Sequence, residues 1–297
     1  MLTHHNPDPV KPSRVVVLGA GGFIAGEVAK RFRAKTITVL ELGRPGMDLL
    51  ATDAATRLAA QLLPQDTLFF ASAKAPVRDL AMLQDNLTMA RVVCAALKIC
   101  PVAHVVYLSS DAVYKDSAGP LSETSCAEPG SLHGVMHLAR EIALRAEYPG
   151  PLAFVRSTLV YGLSDPHNGY GPNRFRRLAA EGKEILLFGE GEERRDHVDV
   201  EDVAGLIAQI VLHKSEGVIN AASGEVASFR ELAEFVSAAF ASKVLIKGSP
   251  RNGPMPHDGY RPFDNTAVAR AFPGFRFRPW REGLTRIHDR IKVQNKI

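Results

Sequence analysis

The sequence has few of the features that mark secreted, membrane-spanning or nucleic-acid-binding proteins. Its 297 residues include only three cysteines, whose odd number and spacing suit neither a disulfide framework nor a zinc site, so a reduced, cytoplasmic protein is expected. No apolar run is long enough to span a bilayer. The net charge of +4 is mild, and no block of like charges forms a nucleic-acid-binding arm. We therefore expect neither a membrane nor a nucleic acid as a partner.

What the chain does contain is a regular alternation of short β-branched runs and helix-compatible stretches. The predicted strands are Arg14–Leu18, Thr36–Leu40, Asp66–Ala71, His104–Ser109 and Leu152–Ser157. The predicted helices between them are Gly26–Arg33, Ala54–Leu63, Gln84–Cys100 and Leu132–Glu147. Strands that alternate with helices build a parallel sheet with both faces buried. The predicted fold class is α/β, with a doubly wound parallel Rossmann sheet.

The composition changes after about residue 162, where loops rich in glycine, proline and asparagine begin. Such late loops in an α/β chain usually build the substrate side of a site. We predict a flexible leader at residues 1–12 and a dinucleotide-binding domain at residues 13–165, to which residues 202–225 return. Residues 166–201 and 226–297 are predicted to form a smaller, C-terminal substrate lobe.

A glycine-rich turn, Gly19-Ala-Gly-Gly-Phe-Ile-Ala25, follows the first predicted strand and opens a helix. Gly19 permits a tight turn, Gly22 lets the backbone approach a pyrophosphate, and the small residue at position 25 lets the helix pack close to the strand. The N–H groups of the helix N-terminus then face the phosphates. The turn predicts a dinucleotide cofactor, whose pyrophosphate contacts would be Gly19, Gly22, Phe23 and Ile24.

An acidic residue after the second predicted strand distinguishes between the two nicotinamide cofactors. Glu41 follows Gly19 by 22 residues, where a carboxylate binds the ribose 2′-hydroxyl and repels a 2′-phosphate. This favours NAD. Arg44 lies close enough along the chain to accept a 2′-phosphate, so NADP stays open as the alternative.

Further motifs, taken in order, resemble those of the extended short-chain dehydrogenases/reductases, a family of NAD-dependent nucleotide-sugar epimerases, dehydratases and reductases. The resemblance runs from about Arg14 to Leu284. It implies contacts with the adenine, with the nicotinamide ribose and with a helix near the active site. The cofactor-binding residues implied in this way are Asp48, Leu49, Ala71, Ser72, Ala73, Lys74, Asn86 and Ser109.

The same resemblance implies a catalytic hydroxyl at the end of the fourth predicted strand. Ser110, in Tyr107-Leu-Ser-Ser-Asp-Ala-Val-Tyr114, would bind the sugar oxygen that is oxidised or reduced. Asp111 follows it, but Ala112 replaces the glutamate of the dehydratases. Because elimination of water needs both an acid and a base, this argues against a 4,6-dehydratase. Epimerase and reductase chemistry both stay open.

Two histidines replace the Tyr-x-x-x-Lys pair of the family, although the flanking residues match. A neutral imidazole, with an ordinary pKa of about 6.5, can accept a proton near neutral pH, so His133 is the candidate acid/base. His137, together with Lys74, would hold the cofactor ribose. Four interpretations stay open: an active enzyme, a silent NAD- and nucleotide-sugar-binding regulatory or partner subunit, a metal site lacking its third ligand, and two packed helix residues. No metal is included in the predicted site.

Residues late in the chain resemble the substrate ligands of the family. Arg195 and Arg261 are expected to bind the diphosphate, because a guanidinium binds phosphate oxygens in pairs. Leu159 replaces an asparagine that contacts the substrate in relatives, which weakens any specific assignment of the sugar. The predicted substrate-binding residues are Lys74, Ser110, Tyr161, Asn173, Arg195 and Arg261.

The resemblance also implies a homodimer in which two helices of each copy pair across a two-fold axis. These helices correspond to Gln84–Cys100 and Leu132–Glu147. The apolar residues that would support the pairing, and that would suit a core equally well, are Val92, Val93, Ala96, Leu97 and Ile142. The expected partners are therefore a nucleotide-sugar substrate and a second copy of the chain.

Overall fold

The backbone follows the strand–helix alternation that the sequence predicts. The computed structural model describes residues 2–240 and 244–294; Met1 of the predicted leader and residues 241–243 and 295–297 of the predicted substrate lobe lie outside it. The strands are β1 (Thr3–His4), β2 (Val15–Leu18), β3 (Val39–Leu42), β4 (Thr67–Phe70), β5 (His104–Ser110), β6 (Leu152–Ser157), β7 (Leu159–Tyr161), β8 (Ile185–Phe188), β9 (Arg194–Asp199), β10 (Ser215–Ala221), β11 (Val226–Ser228), β12 (Ile246–Ser249) and β13 (Tyr260–Arg261). The helices are α1 (Phe23–Ala34), α2 (Ala54–Ala59), α3 (Leu80–Ile99), α4 (Leu132–Glu147), α5 (Pro172–Ala180), α6 (Val200–Leu212), α7 (Phe229–Ala238), α8 (Thr266–Ala271) and α9 (Trp280–Gln294).

Seven strands form the main sheet, in the order β1-β10-β6-β5-β4-β2-β3. Neighbouring strands run parallel, except that β1 runs antiparallel to β10. This order confirms the predicted α/β class. The second predicted strand, Thr36–Leu40, is displaced to β3, because Thr36 has a φ of +56° and belongs to the turn that ends α1. The strand order reverses around β2, so the carboxyl ends of β2 and β4 meet at a switch point where ligands bind in such sheets.

Helices cover both faces of the main sheet. Apolar side chains of α1, α6 and α8 pack on one face, and those of α2, α3 and α4 pack on the other. Every residue of β2 and of β4 is buried, which explains why these strands are almost continuous apolar runs. Across the described residues, no helix is both long enough and apolar enough to cross a bilayer.

The later part of the chain builds a second, smaller core. Strand β9 pairs with β7, β11 and β13, β8 pairs with β12, and α5, α7 and α9 pack around them. Phe175, Leu232 and Trp280 lie at the centre of this cluster. The return of α6 to the main sheet, where it packs near α1, lies within the segment predicted to do so. The exact division into domains stays a prediction.

The N-terminal segment is attached to the main sheet, whereas the sequence predicts a flexible leader over residues 1–12. Strand β1 pairs with Ser215 and Glu216 of β10. Further along, the Val10 N–H donates to the carbonyl of Leu212 at 2.9 Å. The leader prediction needs this correction because the segment satisfies the free edge of β10, a tertiary contact that local polar composition does not reveal.

Candidate active site

The turn between β2 and α1 is so tight that only glycine fits at its first position. Gly19 has a φ of +105°, and a Cβ there would lie 2.7 Å from the backbone nitrogen of Ser72. The N–H groups of Gly19 and Ala20 both donate to the carbonyl of Leu42, which ties the turn to the end of β3. The turn thus lies at the switch point of the sheet.

The N-terminus of α1 presents free backbone N–H groups. The first intrahelical bond runs from the N–H of Gly26 to the carbonyl of Gly22 at 2.8 Å, and no side chain within the described ranges caps the helix. The N–H groups of Phe23, Ile24 and Ala25 therefore lack helical acceptors, which is the arrangement that binds a pyrophosphate.

Glu41 lies within β3, one residue before the end of the strand. Its carboxylate forms an ion pair with Arg33 of α1 and remains about one-third exposed (31 %). Arg44, three residues along the chain, is exposed. An acid and two arginines therefore surround the position at which an adenosine ribose would lie in this fold.

The two predicted adenine contacts have different surroundings. The Asp48 carboxylate accepts a hydrogen bond from the N–H of Leu50 at 3.0 Å and so stabilises a turn. The Leu49 side chain is buried in the core on one face of the main sheet. The structure therefore places Leu49 in the core and not on a ligand-facing surface, because the turn held by Asp48 directs it inward.

The segment after β4 is held by a buried arginine that the sequence reasoning missed. Arg140 of α4 donates to the carbonyl of Ser72 at 2.8 Å and to the carbonyl of Asn86 at 2.9 Å, and its guanidinium lies 5.1 Å from the ring centre of Phe70. Asn86 in turn exchanges two hydrogen bonds with the backbone of Lys74, at 3.0 and 2.9 Å. Arg140 and Asn86 together fix the predicted floor of the nicotinamide ribose.

The side chains of this floor differ in how accessible they are. Ala71 continues β4, since its N–H donates to the carbonyl of Leu18, and Ala73 is exposed. The Lys74 ammonium lies 2.5 Å from the Asp85 carboxylate, in an ion pair that is about one-third exposed on each side. To bind a ribose or a sugar, the lysine would have to share this carboxylate partner.

Asp111 is the centre of a charged cluster that joins the end of β5 to the late part of the chain. Its Oδ2 accepts from Nε of Arg261 at 2.9 Å, and Nη2 of Arg195 lies 3.5 Å away. The Ser110 hydroxyl donates to Oδ1 of Asp111 at 3.3 Å and accepts from the N–H of Ala112 at 3.1 Å. The structure thus brings together Ser110, Asp111, Arg195 and Arg261.

The two arginines of this cluster are not equivalent. Arg261 is fully buried, and its guanidinium also donates to the carbonyl of Asp111 at 2.6 Å and to Asp116 at 2.5 Å. Arg195 makes only longer contacts, at 3.3 Å to Glu193 and at 3.5 Å to Asp111. Arg195 is therefore the better placed of the two to exchange a protein partner for a phosphate oxygen.

His133 and His137 lie one turn apart on α4, with their rings edge to face and 4.7 Å between centres. Nδ1 of His137 lies 2.8 Å from the hydroxyl of Tyr107. Burial raises the pKa of Tyr107 to about 12 and holds the pKa of His137 well below 6.5, with the neighbouring His133 and Arg140 adding to the latter effect. A protonated tyrosine hydroxyl and a neutral imidazole therefore share this hydrogen bond, whose direction depends on the tautomer of His137.

His133 is half-buried, and its Nδ1 faces the N–H of Val77 at 3.5 Å, a long hydrogen bond. Burial lowers its pKa, an effect that the Asp111 carboxylate partly opposes. The start of α4 approaches the turn after β5 because residue 134 is glycine: a Cβ there would overlap the carbonyl oxygen of Ala112. Within the described part of the chain, no three His, Cys, Asp or Glu side chains are arranged to hold a metal.

The side chains of Ser109 and Tyr161 are both buried in the protein interior. The Ser109 hydroxyl donates to Glu141 at 2.6 Å, and Glu141 is held in turn by Arg156 through two buried bonds of 2.9 and 2.6 Å. Tyr161 is buried in the smaller core, with its hydroxyl against Gly283. For both residues, the structure supports a packing role in place of the predicted ligand contact.

Asn173 lies at the start of α5 and is buried. Its amide oxygen accepts from the N–H of Gly162 at 3.3 Å, and its amide nitrogen donates to Asp165 at 2.8 Å. These bonds hold the loop before α5 against the end of β7. Gly162 also contacts the Phe23 ring, so the loop is linked to the turn that precedes α1.

Comparison with known proteins supports the family resemblance. The model of the NAD dependent epimerase/dehydratase family matches residues 15–222. The dTDP-L-rhamnose 4-epimerase of Burkholderia thailandensis is 32 % identical over 139 residues, which is 43 % of this chain and 38 % of that protein. The matched segment therefore spans well under half the length of that relative.

Two solved structures share the fold over nearly their whole length. UDP-glucose 4-epimerase of Thermus thermophilus, in a complex with NAD, is 22 % identical, with a TM-score of 0.82 over 93 % of this chain and 98 % of that one. UDP-glucuronic acid 4-epimerase of Bacillus cereus, in a complex with UDP-glucuronic acid and NAD, is 18 % identical, with a TM-score of 0.82 over 95 % and 99 %. The strand order, the glycine turn and the match over residues 15–222 lead to one conclusion: this chain belongs to the NAD-dependent epimerase/dehydratase family.

Proposed function

We propose that this protein is an NAD-dependent enzyme that modifies a nucleotide-linked sugar by hydride transfer, as an epimerase or as a reductase. The observation that carries the proposal is that the Asp111 carboxylate contacts both the Ser110 hydroxyl and Arg195 and acts electrostatically on the imidazole of His133. The sugar nucleotides named for the relatives, UDP-glucose and UDP-glucuronic acid, support the substrate class.

The residues present fit NAD. The turn at Gly19 leaves no room for a Cβ, and the free N–H groups of α1 face the position of a pyrophosphate. Glu41 would bind the adenosine ribose and oppose a 2′-phosphate. When bound, the nicotinamide supplies the hydride acceptor and donor. His137, with its proton on Nε2, would donate to a ribose hydroxyl, a role that needs a donor but no permanent charge.

The proton would pass through His133, with Ser110 holding the sugar oxygen. In the arrangement described, the N–H of Val77 donates to Nδ1, so the proton of the neutral ring is on Nε2. To accept a proton on Nε2, the ring must carry its own proton on Nδ1 and give up the contact with Val77. Because that contact is 3.5 Å long, the loss costs about 1 kcal/mol or less.

The diphosphate of the substrate would bind Arg195. Its two ion pairs are long, so a phosphate oxygen can replace Asp111 as its partner while Arg261 keeps the carboxylate compensated. Asp111 would then position the Ser110 hydroxyl without becoming an uncompensated buried charge. In this proposal Arg261 acts on the substrate only through Asp111.

The test is a stoichiometric, anaerobic mixture of the protein with NAD and a panel of nucleotide sugars. We expect a transient or lasting reduced-nicotinamide absorbance, or a changed sugar, in the wild type and a loss of both in His133→Ala. His5→Ala, which removes an exposed imidazole elsewhere, is the matched control. Tight NAD binding with no altered sugar across the panel would contradict the proposal and favour a silent subunit.

We also propose a homodimer through α3 and α4. Exposed apolar residues recur seven positions apart on each helix, at Leu80 and Leu87 on α3 and at Val135 and Ile142 on α4. Such spacing puts each pair on one helix face. Light scattering should report a dimer for the wild type and a monomer for the double variant Leu87→Glu, Ile142→Glu; a monomeric wild type would contradict this.

Most of the residues that suggested this dimer from the sequence turn out to support the core instead. The four on α3 are buried against the main sheet, namely Val92, Val93, Ala96 and Leu97. Ile142 alone of the predicted set is exposed.

A cytoplasmic location completes the proposal. It is supported by the three cysteines, each of which is a free thiol. A reducing compartment keeps an exposed thiol such as Cys126 unpaired.

A further inference from the structure

A cavity of about 250 Å³, separate from the candidate active site, lies between α5, α7 and α9 in the smaller core. Its wall is largely apolar and includes Phe235, Val236 and Leu284. Three polar side chains also line it: Arg176 and His288, which are buried, and Thr285, which is exposed. No residue of the candidate active site contributes to this wall, so the cavity requires its own explanation.

Arg176 is a buried cation without a counter-charge. The residue is only 9 % exposed, and across residues 2–240 and 244–294 its buried Nε has no hydrogen-bond partner and its guanidinium forms no ion pair. Burial and the neighbouring Arg177 lower the pKa of its guanidinium, and only the more distant Asp165 favours the charge. By contrast, the buried Arg140 donates to several protein acceptors.

His288 is the second unsatisfied group of the cavity. It is also only 9 % exposed, and neither ring nitrogen has a hydrogen-bond partner in the described part of the chain. The Phe240 ring packs edge-on against the imidazole, with 4.9 Å between ring centres. Burial of polar nitrogens of a guanidinium and an imidazole without partners is unfavourable unless a ligand satisfies them.

We propose that this cavity binds a small monocarboxylate with an aromatic or branched aliphatic body, whose carboxylate pairs with Arg176 and His288. A guanidinium binds a carboxylate through two parallel hydrogen bonds, and a neutral imidazole can add a third. One buried cation compensates one negative charge, whereas a phosphate dianion would keep an uncompensated charge. The apolar wall accommodates the body, and the volume, below the roughly 300 Å³ of drug-sized sites, limits it to a small molecule.

The test uses the full chain and benzoate as the probe, with isovalerate as a branched aliphatic body. Calorimetry should show saturable binding of benzoate with one site per chain, and benzamide, its neutral counterpart, should bind about tenfold more weakly or not at all. In Arg176→Met, the affinity for benzoate should fall by about tenfold or more. Arg174→Met removes an exposed arginine from the same helix and should bind benzoate like the wild type.

The thermal stability of Arg176→Met shows whether the variant is folded and provides a second measure of benzoate binding. Methionine fills a similar volume without a charge, so Arg176→Met should raise the Tm of the ligand-free protein, and benzoate should no longer raise it further. Equal benzoate affinity in Arg176→Met and the wild type would overturn the proposal. So would the absence of saturable binding of both carboxylates, or binding of inorganic phosphate in their place.

Discussion

The two ends of the candidate active site differ in what binds there. At the turn before α1, the ligand would meet backbone N–H groups, and the important property of Gly19 is the absence of a side chain. On α4, the proposed chemistry depends on two imidazoles, His133 and His137, whose Nδ1 atoms are hydrogen-bonded to Val77 and Tyr107, residues of other elements. A site made by backbone tolerates sequence change wherever the turn is kept. A site made by side chains changes its chemistry with each substitution.

The most severe way to break the catalytic end is His133→Ala. General acid–base catalysis is worth about 10²–10⁴ in rate, so kcat should fall by that factor. The dissociation constant of NAD, measured by fluorescence titration, should stay within about threefold, because the pyrophosphate contacts are made by α1. Full activity in this variant would show that another group moves the proton.

The most severe way to break the backbone end is Gly19→Ala. The added Cβ would overlap the backbone of Ser72, and the alanine would have to adopt a positive φ. We therefore expect NAD affinity to fall about 100-fold, equivalent to ~3 kcal/mol. Gly26→Ala is the matched control, since a Cβ there meets no atom within 4 Å, and it should stabilise α1 by up to about 1 kcal/mol. Unchanged NAD titrations for Gly19→Ala would contradict the tight fit.

A fall in pH should lower turnover and leave NAD affinity unchanged, with a smaller effect than either substitution. The pKa of His133 lies below 6.5, so the neutral ring is available above about pH 6.5, and turnover should fall at lower pH as the ring takes up a proton. NAD binding through backbone N–H groups should stay flat from about pH 6 to about pH 8. A pH profile of kcat beside one of NAD affinity checks this; parallel profiles would argue against a catalytic imidazole.

Cofactor choice gives a smaller effect. Glu41→Gln removes the negative charge that opposes a 2′-phosphate and releases Arg33 to meet it, so the affinity for NADP should rise about tenfold while that for NAD falls slightly. Competitive titrations of the two cofactors measure the ratio. An unchanged ratio would mean that Glu41 faces away from the ribose.

Tyr107→Phe should have the smallest effect. It removes the hydrogen-bond partner of Nδ1 of His137 and leaves that buried nitrogen unpaired, at a cost of about 1–2 kcal/mol of stability. NAD affinity should weaken by about fivefold if His137 orients the ribose. Urea unfolding and an NAD titration on the same sample separate these two effects.

The sequence predicts the fold better than the site because strands and turns depend on local pattern. The apolar runs of β2 and β4 and the glycines before α1 need no knowledge of partners. Local pattern fails where distant residues decide. Arg261 binds Asp111 across 150 positions of sequence. Arg140 forms hydrogen bonds with distant residues that the His-x-x-x-His motif does not indicate. By sequence alone, Val92 and Val93 suit a core and an interface equally well, and only the packing of α3 places them in the core.

The predicted replacement of a tyrosine and a lysine by His133 and His137 would also change more than two side chains. His137 is buried beside Tyr107 and within reach of the Arg140 charge, so a lysine at position 137 would bring a second cation into the same interior. Side-chain identity at 133 and 137 could be read from the sequence. The surrounding hydroxyl and guanidinium, which decide what those side chains can do, could not.

The docking of β1 has a consequence for handling the protein. Strand β10 would otherwise be the last strand of the main sheet, with a row of open N–H and C=O groups that could recruit a strand from another molecule. The pairing of Thr3 and His4 blunts that edge. A variant lacking residues 2–10 should therefore aggregate on storage even if its ligand sites are intact. A tag joined ahead of an intact β1 should leave the solubility of the protein unchanged.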